Sequence, residues 1–250
     1  LHKNMDPRDV GDELKQLGSE QNPAAILKVW ESRGLIGAIH PQLERRHPDF
    51  ELLGRVLRAR EELLSAGLRP RLFAPITFAA LGKLKAGERA SVLSRLAFRK
   101  SDVEAVMNLE SEAQKMGKLL AGRKTSQPAA ALAFLEKTPA ELLAFALAGT
   151  ANAKVINTIR NYLRRWRPLR LALPAVSLEL EGLGIARGAK FDKIMDAFLQ
   201  AQLQGKGRTP EDRTKLLRKL AGIKDPPKVK EEKKKPVEKT KKNATGSGMV

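Results

Sequence analysis

SDVEAVMNLESEAQKMGKLLAG, residues 101–122, decides the fold class of this chain. Ser101, Asp102, Val103 and Glu104 have the spacing of a capping box, in which the serine accepts from an early backbone N–H and the glutamate reaches back. Val106, Met107, Met116 and Leu119 then recur at intervals that fit one face of a helix, and Gly122 ends the run. The same devices punctuate the rest of the chain. Thr138-Pro139-Ala140-Glu141 repeats the capping pattern and opens a helix that ends near Gly149. Asn22-Pro23 reads as a cap followed by proline at the first helical position, with Ile26, Leu27 and Trp30 on one face and Gly34 closing the helix. Thr209-Pro210-Glu211 opens the last predicted helix, which ends near Gly222.

Working outward from these starts, Phe50–Ala66 is a long amphipathic helix through Leu53, Val56, Leu57, Leu63 and Leu64, stopped by Gly67. Asp9–Gly18 and Pro75–Leu84 read as shorter helices. Only Leu171–Leu180 has a strand-like flavour, and Pro174 interrupts it. No repeat of fixed period is evident, so a regular solenoid is not expected. The expected fold is all-α: an array of short packed helices forming a body and a smaller tail. Beyond Asp225 the sequence is Lys, Glu and Pro with almost nothing apolar, which cannot offset its ordering entropy; a disordered basic extension is expected over 224–250.

Charge narrows the function classes. The net charge is +19, and removing the Lys-rich end still leaves 38 basic against 24 acidic residues before Lys224, a net of +14. A field of that sign attracts polyanions, of which nucleic acid is the commonest. The chain has no cysteine, which excludes a disulfide scaffold, a thiolate zinc site and a cysteine nucleophile. Its three histidines, His2, His40 and His47, are too scattered for a His-rich metal site. No run of apolar residues reaches the length of a membrane span. A chain that opens on Leu1 without a signal-peptide layout is expected to be a fragment or a processed piece. The lack of cysteine suits a reducing cytosol, and a cytoplasmic location is expected.

No arrangement of residues suggests catalysis. Two-metal phosphoryl or nucleotidyl transfer needs closely spaced carboxylates, and the nearest pairs are Asp49-x-Glu51, at a helix start where acids suit the dipole, and Glu179-x-Glu181. Neither a phosphate-binding Gly-x-x-x-x-Gly-Lys loop nor a Gly-x-Ser-x-Gly elbow occurs. Binding chemistry is better represented. Over Asn152–Trp166, Val155, Ile156, Ile159, Tyr162, Leu163 and Trp166 fall on one helical face. Lys154, Asn157, Arg160, Asn161, Arg164 and Arg165 fall on the other, and Arg167 and Arg170 continue the charge. No acid lies between Lys154 and Arg170. Arginine and asparagine offer several donors in a plane, which suits phosphate and sugar contacts. Arg160, Arg164 and Arg165 are the expected contributors, while Tyr162 and Trp166 read as core. A glycine-rich turn, Gly182–Gly188, then leads into a helix carrying Phe191, Ile194, Met195, Phe198 and Leu199. Its start could hold a phosphate, or the glycines could simply permit a tight turn.

These residues carry a resemblance. Leu180, Leu183-Gly184, Gly188, an apolar helix, Gln204-Gly205 and Arg208-Thr209-Pro210-Glu211-Asp212 follow one another as in the tail of bacterial class II CCA-adding enzymes and their poly(A) polymerase relatives. Asp12-Glu13-Leu14, Asn22-Pro23-Ala24 and Gly34-Leu35-Ile36-Gly37-Ala38-Ile39-His40-Pro41-Gln42-Leu43 resemble the junction of neck and body in the same enzymes. The two blocks cover roughly residues 10–223. The sequence departs from the family where Glu179 replaces an Asp, Ser177 a Gly, and Arg187-Gly188-Ala189 a Pro-Gly-Pro turn. The resemblance implies the end of a neck over 1–20, a helical body over 21–170 and a helical tail over 171–223. It implies a tRNA acceptor arm and elbow as partner, together with a catalytic head N-terminal to this segment, and no membrane. Mg²⁺ and CTP or ATP would belong to that head, and no cofactor is expected in this chain. The RNA-binding residues expected are Lys154, Asn157, Arg160, Arg164, Arg165, Arg167, Arg170, Arg187, Lys190, Lys193 and Arg208. The alternative is a basic helical module that docks an acidic protein partner.

Overall fold

The computed structural model describes residues 5–223; the extension predicted to be disordered, 224–250, lies outside the described residues. Among them every regular element is helical. In chain order these are α1 (Pro7–Gln16), α2 (Pro23–Ser32), α3 (Ile36–Ile39), α4 (Leu43–Arg46), α5 (Phe50–Ser65), α6 (Phe73–Leu81), α7 (Ala86–Arg95) and α8 (Lys100–Ala121). They continue as α9 (Pro128–Leu135), α10 (Ala140–Gly149), α11 (Ala153–Asn161), a π-helical turn (Tyr162–Trp166), α12 (Arg167–Leu171), α13 (Leu173–Gly182), α14 (Ala189–Leu203) and α15 (Pro210–Ala221). No helix among the described residues is long and apolar enough to cross a membrane.

Local chemistry sets several of these boundaries. Asn22 accepts from the Ala25 N–H, Asp49 from Leu52, Asn152 from Lys154 and Val155, and Thr209 from Asp212, so each satisfies a backbone donor that a helix start leaves free. Two predicted caps are corrected. α8 begins two residues early, with Arg99 rather than Ser101 as its extended N-cap, so Ser101 lies inside the helix. Glu104 is then one turn from Lys100, 3.9 Å from its ammonium, and does not reach back to the chain. Thr138 donates its hydroxyl to the Phe134 carbonyl at 3.0 Å, finishing the preceding helix, and Pro139 caps α10. The strand-like stretch 171–180 is also helical: Pro174 sits in the first turn of α13, where its missing N–H costs nothing.

α6 is the centre of the larger core. Every residue from Ala74 to Leu81 is buried, as expected for a helix with no polar face. α5, α8 and α10 surround it, α5 and α10 lying side by side. Phe78 of α6 meets Phe145 of α10 edge to face, with ring centroids 5.0 Å apart. Arg89 of α7, buried, stacks its guanidinium 4.2 Å from the Phe78 ring centroid. Burial pushes its pKa down, and Glu110 opposes that shift. Polar ties join the elements: Arg55 donates to the Ala148 carbonyl at 2.7 Å, and Arg60 to the Glu20 and Gln21 carbonyls at 3.0 and 2.9 Å. α1 packs against α6. There Gly11 is so close to the turn after α7 that a Cβ placed on it would lie 2.2 Å from the Leu96 carbonyl oxygen.

A second, smaller cluster joins Val176 and Leu180 of α13, Phe191, Ile194 and Phe198 of α14, and Leu217 and Ala221 of α15. α14 faces both cores, because its Leu199 and Leu203 belong to the larger one.

Ala97, after α7, holds φ +56° while its own N–H bonds Ser94 and the next N–H bonds Leu93. That left-handed position is the usual place of glycine after a helix. Its side chain is exposed, so nothing packed is lost by removing the methyl. Ala97→Gly is expected to raise stability by about 0.5–1 kcal/mol, the relieved left-handed strain exceeding the added unfolded-state freedom. Urea denaturation checks this; an unchanged or lower midpoint would refute it.

Candidate nucleic-acid interface

The basic helix is interrupted where it matters. Arg167 donates its N–H to the Tyr162 carbonyl, a five-residue step that widens the helix by one residue. Pro168 accounts for the position. It has no N–H to give to Arg164, and its ring would press on that carbonyl in a regular α-helix. Inserting one residue turns everything beyond it by about 100° relative to an unbroken helix. Val155, Ile159, Tyr162 and Leu163 keep to the buried face, as the periodicity predicts. Trp166, the last residue of that face, is half-buried: it packs against the larger core, as predicted, and also lines a cleft beside Arg165.

The opposite wall is the loop between α14 and α15. Gly205 and Gly207 have φ of +88° and +64°, values open to glycine with little strain. They let the chain reverse within three residues, while the Lys206 N–H bonds the Ala201 carbonyl at 3.0 Å. Arg208 folds back and donates to the Gly205 carbonyl at 3.0 Å. The cleft, of about 480 Å³, is lined by four cations, Arg165, Lys206, Arg208 and Arg213, and by no carboxylate. Its apolar lining comprises Trp166, Leu169, Leu203 and Pro210. Arg213 is held by Glu179. Among the described residues, no ion pair involves Arg165, Lys206 or Arg208.

The other predicted contacts are dispersed and partly committed. Glu62 of α5 accepts from Arg160 at 3.1 and 2.9 Å and from Arg164 at 3.1 Å. Those hydrogen bonds raise the pKa of Arg160 above its ordinary value. Thus the stretch that has no acid of its own borrows one from far away in the chain. Lys154 donates to the Ala121 carbonyl at 2.7 Å and Arg167 to the Ala66 carbonyl at 3.0 Å. Arg170 pairs with Glu136 at 3.4 Å. Asn157 is exposed on α11. At the start of α14, Arg187 pairs with Glu181, while Lys190 and Lys193 are exposed. The structure therefore brings Arg165 and Arg208 into one cleft, adds Lys206, which the sequence reading missed, and places the others elsewhere.

The paired carboxylates do not fit a Mg²⁺ site. Asp49 caps α5 and lies 3.8 Å from Lys83, Glu51 is bonded by Arg55, Glu179 by Arg213 and Glu181 by Arg187. Among the described residues no group of three or more His, Asp or Glu is placed to hold a metal ion. No protein-family model matches this chain, and no curated protein or solved structure is significantly similar to it.

Proposed function

We propose that this chain grips RNA, as the body and tail of a nucleotidyltransferase resembling the class II CCA-adding and poly(A) polymerase enzymes. The observation that carries the reading is the acid-free cleft: three cations from two separate elements, Arg165, Lys206 and Arg208, converge without a carboxylate partner. Side chains left unpaired in this way keep their donors for an external anion, and phosphates are the natural acceptor. The overall charge of +19 adds a sequence-independent attraction. On this reading the duplex part of tRNA is recognised by shape and phosphate position. The chemistry, with Mg²⁺ and CTP or ATP, is supplied by a head outside this segment.

The test is binding to folded tRNA, against competitor duplex RNA, across a salt series. Affinity is expected to fall steeply with salt as counterions are released. Replacing Arg165, Lys206 and Arg208 together by alanine is expected to weaken tRNA binding at least about tenfold and to flatten the salt slope by roughly one unit per lost phosphate contact. Replacing Arg160 and Arg164, whose donors are engaged by Glu62, is expected to do less. Equal binding to every polyanion, or a cleft variant with the wild-type slope, would defeat the proposal. Failure to bind at low salt would favour an acidic protein partner.

A further inference from the structure

A groove that only tracks a phosphate backbone has no use for an apolar wall. This cleft has one. Trp166, Leu169, Leu203 and Pro210 line it together with Arg165, Lys206 and Arg208, so part of the lining suits a flat apolar group and part an anion. The volume of about 480 Å³ falls within the roughly 300–1,000 Å³ of pockets that take small ligands. The ligand class that joins a flat apolar surface to a phosphate is a nucleotide. In a duplex both base faces are covered by their neighbours, so only an unpaired nucleotide can offer its face to a side chain.

From this juxtaposition we propose that the cleft holds one unpaired nucleotide of the bound RNA. Its base lies against Trp166 and Leu169, and its phosphates lie against Arg165, Lys206 and Arg208. The site rests on the RNA-binding reading above and sharpens it: the duplex is gripped through its phosphates, and the cleft adds a preference for RNA with an unpaired end, loop or bulge. The π-helical turn is what makes the site. It puts Arg165 and Trp166, neighbours in sequence, along one wall of the cleft. Two glycines with positive φ bring Lys206 and Arg208 to the other. No carboxylate is among the residues that line the cleft, and Glu179 is engaged by the lining Arg213.

The experiment compares two RNA hairpins of identical stem, one blunt and one with three unpaired 3′ nucleotides, bound to the full chain. Trp30 is replaced by phenylalanine so that Trp166 is the only indole. The overhang RNA is expected to bind about tenfold more tightly, since one base–aromatic stack supplies that much, and to quench Trp166 fluorescence, which the blunt hairpin leaves nearly unchanged. Trp166→Leu is expected to bring the affinity ratio near one while retaining blunt-hairpin binding, and Trp166→Phe to preserve most of it. Lys206→Glu, on an exposed side chain, is expected to abolish the overhang preference without lowering the melting temperature. Equal binding of both hairpins by the parent protein would overturn the nucleotide site and leave the RNA grip standing. The same holds if the preference survives in Lys206→Glu. Binding of neither hairpin would overturn both. Displacement of the overhang RNA by poly-glutamate of matched charge, as effectively as by RNA, would overturn the site in favour of an acidic protein ligand.

Discussion

Phe198→Ala should cost about 3–5 kcal/mol, the usual range for emptying a phenylalanine site in a core. The side chain is fully buried and sits in the smaller cluster, where its buried companions among the described residues are Val176, Leu180, Phe191, Ile194, Leu217 and Ala221. A core that small has few neighbours able to collapse into the gap, so the cavity term remains close to its full value. The loss should not spread evenly. α15 depends on this cluster, contributing Leu217 and Ala221, whereas α14 also holds the larger core through Leu199 and Leu203. Heating is therefore expected to produce an early, partial transition, with amide exchange in α15 accelerating before that in α5 or α6. A single transition shifted by less than about 1 kcal/mol would contradict this account. Because Lys206 and Arg208 lie just ahead of α15, the RNA binding proposed above should weaken along with the early transition.

Gly11→Ala is the second large effect. Alanine normally improves a helix interior by about 1 kcal/mol over glycine, and on α1 alone it would be a stabilising change. The structure reverses the sign. The added methyl would lie 2.2 Å from the Leu96 carbonyl oxygen, and the next nearest atoms are also Leu96, its carbonyl carbon and Cβ at 3.2 and 3.3 Å. The obstacle is backbone and cannot rotate away, so α1 must lift from the turn that follows α7. The expected net loss is about 1–3 kcal/mol, the range for overpacking, with reduced protection of Val10 and Leu14, the buried apolar residues of α1. Denaturant midpoints for Gly11→Ala and Gly11→Ser should both fall. A rise in either would mean that the contact relaxes freely.

What could be read in advance was what is decided within one turn of helix. Asn22 and Thr209 act on backbone groups three residues away, and the helices they open start where the sequence put them. The all-helical class followed from the apolar period. Ser101 and Thr138 have equally good local signatures. There a neighbour offered a competing bond: Lys100 joined the helix and drew Glu104, and Phe134 offered a carbonyl to Thr138. For the site, the basic face of α11 was visible as a run of arginines, but its neutralisation by Glu62, about a hundred positions earlier, was not. Lys206 carried no motif and gained its place only when two glycines folded the loop across from Arg165. Trp166 packs against the larger core, as its spacing predicted, but its second role in the cleft lining was not legible, because the chain abandons the 3.6-residue period at Tyr162.

That abandonment makes length itself a constrained quantity. Within 162–166 the chain carries one more residue than an α-helix would use to cover the same span, and the direction in which α12 and all later helices set out includes that surplus. Substitutions here alter a side chain; a one-residue deletion would instead restore an ordinary helix and re-aim everything downstream, tail and cleft loop together. Related chains that keep the cleft should therefore vary in letters across this segment and agree in count.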